Sequence, residues 1–421
     1  MKKENFSCNF CGKDRSLVKK LISGPGVYIC NECINLSYEI ITQAPAINIS
    51  EIQGSDLITP QELKHALDDF VVGQDTVKEI LSTSAVNHIK RMLINDPSQG
   101  VEIHKSNMLI LGSTGTGKTL LAKTLAKILE VPIAITDATS LTESGYVGED
   151  VDSVLERLLT SADYDLELAQ QGIIFIDEID KKASKTSGGH SLRDVSGEGV
   201  QQALLKLIEG SVVKVKTENR RGYEETVEFD TTDILFIFSG AFVGVEKIIE
   251  RRLNTGAGMG FSAKLHDQTL HKNTEILKKI TVKDLTDYGI IPELLGRVPV
   301  IAVMDALESH DYLQILRDVK NSIVEQYEKL ALLDKIGLTF TDDFLLEVAD
   351  RTQDFNLGGR ALRSLMDNAT LNIFYRLSQL EKTGVVHITF TKYLEAPTFT
   401  YEGGAEKIDT EYTIYRGSNV K

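Results

Sequence analysis

The chain has 421 residues, 42% of them hydrophobic and 25% charged, with a formal net charge of -15. That length exceeds what one compact core holds and sets an expectation of two or three domains. The acidic balance argues against general binding to nucleic acid through the phosphate backbone, and no segment is apolar for long enough to form a membrane-spanning helix.

The first residues, Met1-Lys2-Lys3-Glu4-Asn5, run into Phe6-Ser7-Cys8 without an apolar signal core, which sets the expectation of a cytoplasmic protein. Disulfides are not expected in a reducing compartment, so the cysteines need another role. All four lie near the start: Cys8 and Cys11, then a gap of 18 residues, then Cys30 and Cys33. Each C-x2-C pair aims two thiolates at one point, and two pairs complete a tetrahedron around Zn2+. Gly12 follows the first pair and Gly24-Pro25-Gly26 precedes the second, where turns are needed. So small a module buries little core, and the metal supplies most of its folding free energy. Four thiolates leave no position open for a water, so this zinc is structural and residues 1–44 form a binding module.

Residues 45–60 read as a linker, beginning Pro45-Ala46-Ile47-Asn48 and containing Gly54-Ser55. Thr59-Pro60-Gln61-Glu62 then opens a helix, with Thr59 as N-cap and Pro60 at the first helical position. The large domain is expected over 61–304. Short apolar runs at Met108–Leu111, Ile133–Ile135, Ile173–Ile176 and Ile234–Phe238 alternate with amphipathic stretches such as Lys118–Leu129 and Val151–Ser161. That alternation predicts an α/β fold built on a doubly wound parallel sheet.

After the first of these strands comes Gly112-Ser113-Thr114-Gly115-Thr116-Gly117-Lys118-Thr119, a complete P-loop in the strand–loop–helix setting it requires. Its glycines let backbone N–H groups turn toward the phosphates of ATP, and the next helix presents its positive end to them. Lys118 is expected to reach the β- and γ-phosphates, and the Thr119 hydroxyl to ligate Mg2+. Downstream, Ile173–Ile176 runs into Asp177-Glu178. Asp177 at the strand end suits Mg2+, and Glu178 one residue on suits the attacking water.

From 305 to 400 the pattern is mainly helical, with a β-like stretch at Val385–Phe390, and predicts a smaller lobe. Residues 401–421 are polar and contain glycine, and read as a poorly ordered tail.

These motifs together resemble the ClpX family of AAA+ unfoldases over nearly the whole chain. The resemblance rests on the paired C-x2-C module, Val71-Val72-Gly73-Gln74, the P-loop and Ile176-Asp177-Glu178-Ile179-Asp180-Lys181. Val195 to Gln202 and Ile291-Pro292-Glu293-Leu294-Leu295-Gly296-Arg297 extend it. Members of that family form homohexameric rings with ATP between subunits, grip tagged or unfolded proteins in an axial pore and feed them to the ring peptidase ClpP. Adaptor proteins bind the zinc domain.

The resemblance also implies roles for particular residues. Val71 and Val72 flank the adenine. Tyr146 and Val147, in Gly145-Tyr146-Val147-Gly148, match the loop that grips substrate. An amphipathic ring between two glycines suits that task. Arg297 matches the arginine that reaches the neighbour's ATP, and Arg360 the sensor arginine of the small lobe. Met259-Gly260-Phe261, in a glycine-rich stretch, matches the peptidase-docking tripeptide. An exposed apolar tip gains by insertion into a partner's pocket, and several on one ring gain by avidity. Taken alone, each of these short stretches is an ordinary turn, surface loop or ion pair.

Two departures stand out. The pore-entrance stretch Thr217–Glu225 keeps Arg220 and Arg221 but lacks the family's histidine, and Ser239 stands where relatives often carry glycine. No intrinsic protease constellation is present: H-E-x-x-H does not occur and no cysteine lies outside the zinc module. The expectation is an ATP-dependent unfoldase serving a peptidase. The alternative is an ATP-driven remodeller of complexes that works without one.

Overall fold

A computed structural model of the chain describes residues 7–24, 27–34, 57–94, 103–142, 149–184, 197–218, 224–254, 270–355 and 358–408. The chain divides into two compact units, Met1–Ile52 and Gln53–Lys421. The first carries an antiparallel hairpin of β1 (Leu21–Gly24) and β2 (Val27–Cys30), with Leu21 opposite Cys30.

The second unit opens on α1 (Pro60–Asp68), where Thr59 caps the helix in a full capping box with Glu62. Helix α2 (Asp75–Ile94) follows. Then come β3 (Met108–Leu111), α3 (Lys118–Leu129), β4 (Ile133–Asp137), α4 (Ser153–Ser161) and β5 (Ile173–Asp177). Further along are α5 (Glu198–Glu209), the hairpin β6 (Val212–Glu218) and β7 (Glu224–Asp230), and β8 (Leu235–Gly240). Three more helices, α6 (Val245–Asn254), α7 (Leu270–Leu277) and α8 (Val282–Tyr288), lead to α9 (Pro292–Arg297) and β9 (Val300–Val303).

The sheet has the order β9-β3-β8-β5-β4, and every pairing in it is parallel. Strands β3 and β8 are buried along their whole length, which is why they read as unbroken apolar runs rather than alternating ones. Phe236 and Phe238 of β8, Ile174 of β5 and Leu109 of β3 join Leu158, Leu204 and Leu294 in one core. The strands extend slightly beyond the expected apolar runs: β8 covers Leu235–Gly240, and β5 includes Asp177. Polar ends are paired into the ladder because parallel neighbours continue beside them.

A second core belongs to a smaller lobe. Its helices are α10 (Ser309–Arg317), α11 (Ile323–Leu333), α12 (Asp342–Asp354) and α13 (Arg360–Lys382). A four-stranded sheet accompanies them: β10 (Gly337–Phe340), β11 (Val385–Phe390), β12 (Thr398–Tyr401) and β13 (Glu406–Ile408), in that order. Phe340 lies 5.2 Å from both Phe344 and Phe390, ring centre to ring centre. The lobe thus holds more strand than the single stretch expected, and Tyr401–Ile408 is ordered where a loose tail was expected. These short strands lack long alternation; β12 takes its register from β11 and β13 takes its register from β12, which supplies what local pattern does not. No helix among the described residues is long and apolar enough to cross a membrane.

Helix α2 is fastened to the turn before β8. His88 Nε2 lies 2.9 Å from the Asp233 carbonyl, and Arg91 donates to the Thr232 carbonyl at 2.8 Å and to the Asp233 carboxylate at 2.6 Å. Burial, with Arg91 adding to it, pushes the His88 imidazole down from 6.5 to about 3. The folded state therefore resists a proton that the unfolded chain accepts below about pH 6.5. Stability from this site is present above that pH and lost as pH falls toward 3. A His88→Asn variant should show a shallower fall of unfolding free energy across that window than the parent chain, by up to ~1.4 kcal/mol per pH unit. Parallel slopes in the two proteins would assign the acid sensitivity to other groups.

Candidate functional site

The four cysteines converge. Their sulfurs all lie within 4.8 Å of one another, with Cys8 Sγ 3.9 Å from Cys33 Sγ and Cys11 Sγ 3.7 Å from Cys30 Sγ. A tetrahedron of sulfurs ~2.3 Å from zinc has edges of about 3.8 Å, so the spacing fits that ion. None of the four is in a disulfide. Backbone N–H groups of Cys30 and Cys33 point at the sulfurs of Cys8 and Cys30. Burial raises the Cys8 thiol, but backbone N–H groups of Cys11, Cys30 and Phe10 outweigh it and bring the value down to about 6. Cys33 goes the other way, up to about 12, through burial and the sulfurs of Cys11 and Cys30. Crowding thiolates is unfavourable until a divalent cation sits among them. The donor set suits Zn2+, which would cross-link the knuckle and hairpin.

The second site lies at the carboxyl edge of the parallel sheet, where open α/β sheets place their ligands. The P-loop leaves β3 and enters α3 through Gly117, the N-cap, at φ 101, a conformation that favours glycine. Gly115 is also left-handed, at φ 82. Lys118 is buried and curls back over the loop, donating to the carbonyls of Gly112 (2.6 Å) and Ser113 (3.0 Å). Burial lowers its ammonium below the ordinary lysine value, against the opposing charges of Asp177 and Asp180.

Asp177 is held from three sides. The Thr119 hydroxyl donates to Oδ2 at 3.0 Å, the Glu178 N–H donates to Oδ1 at 3.0 Å, and the Ser239 hydroxyl donates to Oδ1. Ser239 comes from β8, the strand between β3 and β5. Ser239 thus grips the acidic residue. Thr119 and Asp177 offer hard oxygen donors side by side, which suits Mg2+. Glu178 adopts φ 56, leaves the strand and is exposed toward the cavity.

A cavity of about 660 Å³ collects these groups, large enough for a nucleotide. Its walls include Val71, Val72, Thr114, Gly115, Thr116, Gly117, Lys118, Thr119, Asp177, Glu178 and Arg360. Gly112 lies at the root of the loop, where a Cβ would stand 2.6 Å from the Met304 Cβ. Sequence reasoning missed the small-lobe share of the wall: Leu307, Ile315, Val319, Asn321, Gln326 and Arg363. Nothing marks those positions locally: Ile315, Gln326 and Arg363 lie on helices, and Leu307, Val319 and Asn321 lie in the segments on either side of α10. The small lobe touches the P-loop directly, with the Gly359 N–H donating to the Gly115 carbonyl at 3.0 Å.

Arg297 is not among the residues lining its own chain's cavity; its guanidinium is exposed and pairs with Glu209 at 3.0 Å. Tyr146, Val147, Met259, Gly260 and Phe261 lie outside the described residues.

A P-loop on a five-stranded parallel sheet, an acidic pair at the end of the strand one removed from it and a small lobe closing over the cavity define an AAA+ ATPase. Residues 103–301 match the family described as AAA domain (Cdc48 subfamily), and residues 7–43 match the ClpX C4-type zinc finger. The chain is 44% identical over 391 residues to the Porphyromonas gingivalis protein named ATP-dependent Clp protease ATP-binding subunit ClpX, covering 91% of this chain and 95% of that one. A Bacteroides thetaiotaomicron protein of the same name is 44% identical over 398 residues, covering 93% and 96%. The chain belongs to the ClpX family of ATP-hydrolysing, zinc-binding proteins.

Metal analysis should find one zinc per chain, lost on Cys30→Ser together with amide protection in the hairpin; zinc retained by that variant would contradict a four-thiolate site. In the nucleotide site, Gly358 has φ +58, and a Cβ there would stand 2.8 Å from the Thr114 carbonyl. Gly358→Ala must lift the small lobe off the P-loop. Titration with a fluorescent ATP analogue should show affinity at least ~10-fold weaker.

Proposed function

We propose that this chain is the unfolding and translocating subunit of a Clp protease, working as a ring hexamer that delivers tagged or unfolded proteins to the ClpP peptidase. The observation that carries the reading is similarity over nearly the whole of relatives named as the ATP-binding subunit of that protease, zinc module included. The acidic, P-loop-bearing large domain at 61–304, the small domain at 305–400 and the zinc domain at 1–44 are its working parts, with 45–60 as linker and 401–421 as tail. The cytoplasm is its place, and adaptor proteins dock on the zinc domain.

ATP binds with its adenine beside Val71 and Val72 and its phosphates in the loop Gly112–Thr119. Lys118 exchanges its carbonyl partners for β- and γ-phosphate oxygens. Thr119 and Asp177 hold Mg2+, whose charge offsets that of the phosphates. Glu178 accepts a hydrogen bond from the attacking water and takes its proton as the water oxygen bonds to the γ-phosphorus, while the bond from that phosphorus to the β–γ bridging oxygen breaks and ADP leaves with the bonding electrons. Arg360 neutralises phosphate charge from the same subunit. Arg297 leaves Glu209 to do so in the neighbour's site, where a planar guanidinium suits a phosphoryl group. Lobe rotation then moves Tyr146 and Val147 along the pore, and Met259-Gly260-Phe261 hold the peptidase.

The test uses ClpP, ATP and a tagged fluorescent protein. The parent chain should abolish fluorescence only with ATP, and Glu178→Gln should lower turnover by at least ~100-fold while retaining ATP. ATP turnover with fluorescence persisting for several known tags would favour peptidase-independent remodelling.

A further inference from the structure

The link between the two lobes is fastened to the nucleotide cavity at its first two residues. After β9 ends at Val303, the Met304 N–H donates to the Leu111 carbonyl at 2.7 Å, directly before the P-loop. Asp305 is gripped next. The Gln74 side-chain amide donates from Nε2 to the Asp305 carbonyl at 2.9 Å, and its Oε1 accepts from the Asp305 N–H at 2.8 Å. Gln74 is 3% exposed, so both bonds are sheltered from water. Its backbone is left-handed, with φ 60, directly after Gly73 at φ 59. A left-handed glutamine is uncommon and persists only where its surroundings fix it.

The other end of this turn lies in the cavity wall, at Val71 and Val72. Val71 does not float. The buried Lys78 ammonium donates to its carbonyl at 2.6 Å and to Asp68 at 2.6 Å. Leu307, two residues past Asp305, returns to the cavity wall. A short path of hydrogen bonds therefore runs from the base side of the cavity through Gln74 to the start of the small lobe.

We propose that Gln74 is a positioning residue that couples occupancy of the adenine side of the cavity to the angle of the small lobe. A base pressing on Val71 and Val72 shifts a turn that Lys78 holds as one piece, and Gln74 passes the shift to the Asp305 backbone. Gln74 is not among the residues that line the cavity. The proposal rests on the reading of the cavity as the ATP site of a motor, and its test needs neither a peptidase nor a protein substrate.

Dyes placed by non-natural amino acids at Glu156, exposed on α4, and Tyr375, exposed on α13, report the lobe angle by energy transfer in the full-length chain. Energy transfer is compared without nucleotide, with ADP and with a slowly hydrolysed ATP analogue. Gln74→Met keeps the side chain's length but makes neither bond. It should bind a fluorescent adenine nucleotide within about three-fold of the parent while its nucleotide-driven change shrinks at least about five-fold. Gln74→Glu keeps the acceptor and loses the donor, and should fall between; it also serves if the methionine variant folds poorly. Gln74 uses only the backbone of Asp305, whose carboxylate pairs separately with Lys278 at 2.8 Å. A full-sized change in both Gln74 variants overturns the proposal and leaves the motor reading standing. A parent chain whose energy transfer ignores nucleotide overturns both.

Discussion

The register of five parallel strands is the constraint on which the site depends. Leu111 of β3 pairs with Gly240 of β8 and Val303 of β9, while Phe238 of β8 pairs with Ile176 of β5. All the strands therefore end on one edge. That edge receives the P-loop from β3, Asp177 and Glu178 from β5, Ser239 from β8 and the interlobe link from β9. A slip of one residue in any strand would turn its terminal side chain to the opposite face. The groups at that edge need no long-range search once the sheet has formed.

Close backbone approach then joins the lobes around that edge. Met304 packs where a Cβ on Gly112 would stand, and Gly358 lies against the carbonyl of Thr114. Lys320 adds a third contact, with its N–H on the Asp69 carbonyl at 2.7 Å and its ammonium on the Asp69 carboxylate at 2.6 Å. The exposed ion pair counts for little by itself. The backbone bonds matter more, since they place the small lobe against the P-loop and beside the turn that line the cavity.

The zinc unit achieves order by another route. Ile22 and Val27 of its hairpin, and Phe10 and Leu17 before it, are largely exposed, so little apolar burial stabilises it. Four converging sulfurs and a divalent ion supply what the core does not. The large sheet has the opposite balance: β8 is buried at every position, and burial at ~25 cal/mol per Å² outweighs any single polar contact.

What the sequence by itself determined is the local chemistry. The cysteine spacing names a metal, the P-loop names a phosphate, and unbroken apolar runs name buried parallel strands. Each signal is carried by neighbours in the chain, so local pattern reveals it. The tertiary structure alone decided what distant segments do together. Ser239 meets Asp177 across 62 positions, and Gln74 meets Asp305 across 231. Arg297 rests on Glu209 across 88. The short strands after Val385 were equally illegible, since each takes its order from the partner beside it. A hydrogen bond between remote residues leaves no period and no spacing in the sequence, because its geometry exists only after the strands between them have packed.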